Sequence, residues 1–151
     1  MSLRFRIHRD QRVVHTVVGE LDSVAELRTY AEQLKGAPEF EDGFDHLIEF
    51  SDGGAGVDGS GAVQVLSMLV PPVLHVRVAI VASGDLEFAV ACKFQSVYGL
   101  LDDLFAARRT LEEACAWLRI DPQPTGWGDW RIITGTTSET GQQEGGAGGG
   151  T

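Results

Sequence analysis

Apolar and polar residues alternate at the start of the chain, with Phe5 and Ile7 set between Arg4, Arg6 and His8. A period of two sends successive side chains to opposite faces of a strand. The polar residues 9–11 supply a turn, and the β-branched run Val13–Val18 a second strand, so the opening reads as a hairpin closed by Gly19. After Gly19 the period lengthens. Leu27, Tyr30, Ala31 and Leu34 fall on one helical face, Ser23 and Glu26 have the spacing of a capping box, and Gly36 with Pro38 ends the helix. Asp45–Phe50 holds the short apolar run HLIEF, a buried strand. A glycine-rich loop leads into a short helix over 62–70, stopped by Pro71 and Pro72. HVRVAIVA over 75–82 is nearly continuous in apolar residues, as a strand covered on both faces must be. Asp85 caps a helix on which Leu86, Val90, Phe94, Val97 and Leu101 recur at steps of three and four. A short strand is expected at 104–107. Thr110 and Glu113 then form a second capping box, opening a helix with Leu111, Ala114, Cys115 and Leu118 on one side.

The order β-β-α-β-α-β-α-β-α predicts an α/β domain over residues 1–120. Its mixed sheet of about five strands carries an N-terminal antiparallel hairpin and about four helices. Residues 121–134 form a Trp-containing extension with a candidate strand, RIIT. Trp127 and Trp130 either pack back on the domain or anchor a partner. Residues 135–151 are rich in Gly, Ser, Thr and Gln and are expected to be a disordered tail.

The formal net charge of −10 argues against nucleic acid and against an anionic membrane surface as partners. The charge is unevenly placed. Arg4, Arg6, Arg9 and Arg12 crowd the start, whereas 36–76 contains no Lys or Arg but holds Glu39, Glu41, Asp42, Asp45, Glu49, Asp52 and Asp58. That stretch is either a solvated acidic face or a docking surface for a basic partner. No apolar run approaches a membrane span, and the first residues show no apolar leader. Cys92 and Cys115 lie far apart on predicted helix faces, which points to free thiols and a cytoplasmic protein.

Gly54, Gly56 and Gly59 spell G-x-G-x-x-G, but a dinucleotide loop fits poorly. Ser51 and Asp52 separate it from the strand, and Asp52 and Asp58 would repel a phosphate. A Walker loop fails because Ser60 stands where Lys is required. His8, His15, His46 and His75 lie in or beside strands, and no spacing assembles a catalytic or metal set. Neither an enzyme, a metal nor a cofactor is therefore expected. Ser60 is placed to cap the following helix, where a phosphoryl group would also meet the positive helix end.

GELDSVAEL, HLIEF, VDGSGAVQVL and RVAIVAS, following the hairpin, resemble the STAS family of anti-sigma factor antagonists. The second half resembles its SpoIIAA-like (STAS/SEC14-like) branch of small bacterial proteins through Arg77, Ala79, Ile80, Val81, Ala82, Phe88, Ala91 and Phe94, then Phe105, Ala114, Trp117 and Leu118. The resemblance spans about residues 3–119. It implies a non-enzymatic regulatory or protein-interaction module. In phosphorylatable members the second serine of D-S-S-G is the phosphosite. Here D-G-S-G makes Ser60 the matching serine and Asp58 the matching acid, with Gly59 and Gly61 completing the partner loop. The alternative function is a small carrier of a lipid or other apolar ligand, with Leu66, Leu69, Val90 and Phe94 as cavity walls. A homodimer is compatible with either role.

Overall fold

The computed structural model describes residues 3–19, 24–51, 76–97, 104–121 and 126–133. β1 (Leu3–His8) and β2 (Val13–Val18) form the hairpin. Arg9 to Arg12 make its turn, with the Arg12 amide donating to the Arg9 carbonyl and Arg12 itself left-handed at φ 57°. α1 (Val24–Gly36) leads to β3 (Asp45–Phe50), then β4 (Val78–Ala82), α2 (Asp85–Val97), β5 (Phe105–Arg108), α3 (Leu111–Leu118) and β6 (Arg131–Ile133).

The strands lie in the order β5-β4-β3-β2-β1-β6. β2 to β5 are mutually parallel, while β1 runs antiparallel to both β2 and β6. The α/β class, the mixed sheet and the opening hairpin thus follow the sequence expectation. The expected count of about five strands is corrected to six, because Arg131–Ile133 adds itself to β1 at the sheet edge. Three helices lie among the described residues; the one expected at 62–70 is outside them.

Alternation along each strand divides the core in two. On one face Phe5, Ile7, Val14, Ile48, Ile80 and Phe105 pack beneath α1 and α2 with Leu27, Tyr30 and Leu34. On the other, Val13, Leu47, Ala79 and Val81 meet Ala114, Cys115 and Leu118 of α3. All five β4 residues are therefore buried. Burying Leu, Ile or Phe side chains of this kind contributes about 1.5–3 kcal/mol each. One polar pair sits inside: the Thr16 and Tyr30 hydroxyls are hydrogen-bonded at 2.8 Å. Burial pushes the Tyr30 phenol up to about 12.

The capping box at α3 is present in full. The Glu113 amide donates to Thr110 Oγ1 at 3.2 Å and the Thr110 amide to Glu113 Oε1 at 3.3 Å. At the far end, Arg77 on the approach to β4 donates to the Trp117 and Leu118 carbonyls while pairing with Asp45 at 2.8 Å. Its guanidinium thereby ties the negative end of α3 to β3. On α2, Val90 is buried as expected, together with Ala91, whereas Leu86 is exposed. Glu87 is buried with its carboxylate folded back over Gly84, where a Cβ would strike it.

Cys92 packs against the first core cluster and Cys115 lies in the second, so both thiols are free and the sheet stands between them.

Candidate functional site

α3 lies over β3, β4 and β5 on the second face. Over β1 and β2 the covering comes instead from the residues before β6. Pairing of β1 with β6 puts Phe5 opposite Arg131, yet His8 bridges Trp127. Two residues of β1, Arg6 and Ile7, thus face three on the returning chain, Gly128 to Trp130. This is a β-bulge, held by the Gly128 amide donating to the Ile7 carbonyl at 2.9 Å. Its consequence is specific. Trp127 and Trp130 differ by an odd number of positions, so a regular strand would point them to opposite faces. The extra residue brings both rings onto the face of Arg4, Arg6 and His15. Gly126 allows the tight approach: it has φ 91°, and a Cβ there would strike the His8 ring.

The side chains gathered there alternate cation and ring. The Arg6 guanidinium carbon lies 4.6 Å from the Trp127 centroid and 4.4 Å from that of Trp130, and Arg4 lies 4.3 Å from Trp130. Beneath the rings, His15 is 5.7 Å from Trp127 and 5.3 Å from Trp130. Arg6 Nε donates to His15 Nδ1 at 3.3 Å, so the ring proton sits on Nε2, which faces Glu49 Oε1 at 3.0 Å. The register explains this trio. Arg6 is opposite His15, and Glu49 is one pleat along the neighbouring parallel strand.

Charge and burial set the protonation states. Burial holds the His15 imidazole below its ordinary value, although Glu49 pulls the other way. The hydrogen bond from His15 holds the Glu49 carboxyl below its usual range. Burial and the neighbouring Arg4 charge lower Arg6. Cys115 on α3 is close enough to feel Arg6 and Glu49, but burial pushes its thiol up. Both His15 nitrogens are engaged, one by Arg6 and the other by Glu49. Among the described residues no group of three or more His, Cys, Asp or Glu side chains could hold a metal.

The cluster opens at one end. A register row crosses the sheet through Ile132, Arg4, Val17, Glu49, Val81 and Arg108. Ile132 is 57% exposed, Arg4 is exposed, and Trp130 and Val17 are half-buried.

The acidic stretch is largely consumed internally. Glu39 pairs with Arg131, Glu41 with Arg12, Asp45 with Arg77 and Glu49 with His15. The Arg131 hydrogen bond lowers the Glu39 carboxyl. Ser60, Asp58, Gly59 and Gly61, with Leu66 and Leu69, lie outside the described residues, as does the side chain of Phe94. Val90 belongs to the packed core under α2. The sequence carried one signal of the observed cluster, the alternation that turns Arg4 and Arg6 away from Phe5 and Ile7. The pairing with Trp127 and Trp130 spans most of the chain and has no local signature.

No helix among the described residues is long and apolar enough to cross a membrane. No protein-family model, curated protein or solved structure matches the chain.

Proposed function

We propose that this chain is a non-enzymatic regulatory module of STAS type that works in the cytoplasm by docking another protein. The observation that carries the reading is the open end of the Trp–Arg cluster. There Arg4, Trp130 and Ile132 stand together on a face beneath which Arg6, His15 and Glu49 are hydrogen-bonded to one another. A half-buried Trp with an exposed Arg and an exposed aliphatic residue beside it is the composition of an interface centre. Mutually satisfied His15, Glu49 and Arg6 supply rigidity to that surface, with no free base or nucleophile. The resemblance in the hairpin, HLIEF and RVAIVAS supports the STAS assignment, and Ser60 is proposed as its modifiable switch.

Native mass spectrometry of the protein purified from its own host tests the reading. A second polypeptide that stays bound in wild type, and leaves in Ser60→Asp or in an Arg4→Gln/Ile132→Ser variant of unchanged melting temperature, is the expected result. A phosphate-sized addition at Ser60 adds the switch. A bound lipid-sized mass with no polypeptide overturns the reading in favour of an apolar-ligand carrier.

A further inference from the structure

The open end of the Trp–Arg cluster carries two arginine charges, and among the described residues Glu49 is the one carboxylate that feels them both. Arg4 and Arg6 are two residues apart on one strand face, and both lie against the Trp130 ring. Like charges at that spacing repel, and the neighbouring Arg4 charge contributes to lowering Arg6. The rings offset part of this repulsion by cation–π contact. Arg6 spends a donor on His15, and the only carboxylate in the row, Glu49, is taken by His15 Nε2. Arg4 makes no ion pair among the described residues. Beside it, directly across the β1–β6 pairing, Ile132 is 57% exposed. A cationic fork and an apolar side chain thus stand next to each other at the sheet edge of a chain whose formal net charge is −10.

We propose that this face, Arg4 with Trp130 and Ile132, docks an acidic protein segment that pairs a carboxylate with an apolar side chain. This rests on the interaction-module reading and specifies the chemistry of its partner. Cation–π contact with Trp130 uses none of the Arg4 N–H groups, and a guanidinium can meet a carboxylate in two parallel hydrogen bonds. The partner's apolar side chain covers Ile132. Nucleic acid is disfavoured because one exposed arginine cannot neutralise a run of phosphates, whereas it can pair with a single carboxylate. The β1–β6 register fixes the site: Ile132 lies opposite Arg4, and Trp130, two residues earlier, lies 4.3 Å from the same arginine.

The test uses the full chain and two acetylated synthetic peptides, one of alternating Glu and Leu and one with Lys replacing every Glu. Titration calorimetry reads affinity, and tryptophan fluorescence reads contact with the cluster. The Glu peptide is expected to bind, to weaken with salt, and to perturb the fluorescence, while the Lys peptide does not bind. Arg4→Gln should weaken binding about tenfold, the loss of one charge-assisted contact. Ile132→Ser should weaken it roughly threefold through lost apolar contact, with melting unchanged in both variants. Equal binding of the two peptides, wild-type affinity in Arg4→Gln, or no binding to the full chain would overturn the proposal. Binding that emerges only after truncation following Thr134 would give the face to the chain's own tail, with Glu139 and Glu144, and would also overturn it. A host partner that stays bound to Arg4→Gln would sink this inference while leaving the module reading intact. Absence of any host partner, with the Glu peptide still bound, would do the reverse.

Discussion

His46 should make this protein unstable in mild acid, well before its carboxylates titrate. The residue opens the buried part of β3, between Val14 and Val78 in the register, with the Phe40 ring 6.3 Å away. Its Nδ1 is buried without a hydrogen-bond partner among the described residues. Burial lowers its pKa to about 4 from the ordinary 6.5, against a weaker pull from Asp45. The folded state therefore keeps His46 neutral where the unfolded chain protonates it. Below pH 6.5 the unfolded state binds more protons, so stability falls as pH falls, and the loss levels off below about pH 4. The gap between 6.5 and about 4, at about 1.4 kcal/mol per pH unit, amounts to about 3 kcal/mol. Roughly 2.5 kcal/mol of it is gone by pH 4.5. Carboxylates held low, Glu39 and Glu49, lose their contributions only below that point. His15, also held low by burial, acts in the same direction as His46. The assay is urea unfolding of wild type, His46→Gln and His15→Gln at several pH values, with changes across the window compared within each protein. His46→Gln should lose about 2.5 kcal/mol less than wild type across it. Equal losses in the two proteins would refute the reasoning and place the imidazole in contact with solvent or a partner.

Removing the α3 cap in Thr110→Ala should cost about 1 kcal/mol by chemical unfolding, with Glu113→Ala less; no change in either would mean that α3 is held by packing alone. Arg77→Met takes the guanidinium from Asp45, which keeps only the residue-77 amide as donor, and from two helix carbonyls, and should cost about 2–3 kcal/mol. A double-mutant cycle with Asp45→Asn should show coupling, and simple additivity would deny the bridge. Gly126→Ala combines a left-handed backbone with a clash on His8, so it should lower the melting temperature and shift tryptophan emission to the red; an unaltered spectrum would dismiss the tight approach. Truncation after Thr134 should leave melting nearly unchanged, whereas truncation after Asp121 should destabilise the chain by removing Ile133 and Trp127 from their contacts; equal melting of the two would contradict the β6 pairing.

Much of the sheet was legible because its signals are local. The runs Val13–Val18 and Asp45–Phe50 are bounded by turn residues, and their strands fall on those bounds. Thr110 and Glu113 announce a helix start that the hydrogen bonds realise. Where a reading needed tertiary context, periodicity misled or fell short. Leu86 fits the same apolar step of α2 as Val90, yet Val90 is buried and Leu86 is exposed. Nothing within 126–133 reveals a bulge, since a bulge exists only relative to a partner strand, and that partner is β1. The two tryptophans were therefore readable as large apolar rings that needed a home, and not as neighbours of Arg4, Arg6 and His15.

The same dependence on pairing changes the meaning of the charge pattern. In linear order the chain has a basic start and an acidic middle, which suggests two surfaces of opposite sign. β2 pairs with β3 in parallel, and the strand carrying Arg4 and Arg6 lies on the other side of β2. The fold thereby brings basic and acidic stretches within reach of each other: Glu49 meets His15, and Glu41 meets Arg12. Arg77 and Arg131, from later in the chain, take Asp45 and Glu39. An acidic docking surface built from those carboxylates would first have to break these pairs, and the pairs at Asp45 and Glu49 are partly buried, where removing one partner costs most. The arginine at the sheet edge carries no such cost. Arg4 can donate to a carboxylate without breaking an ion pair among the described residues, which is why the docking proposed above is placed on the small cationic side of the fold.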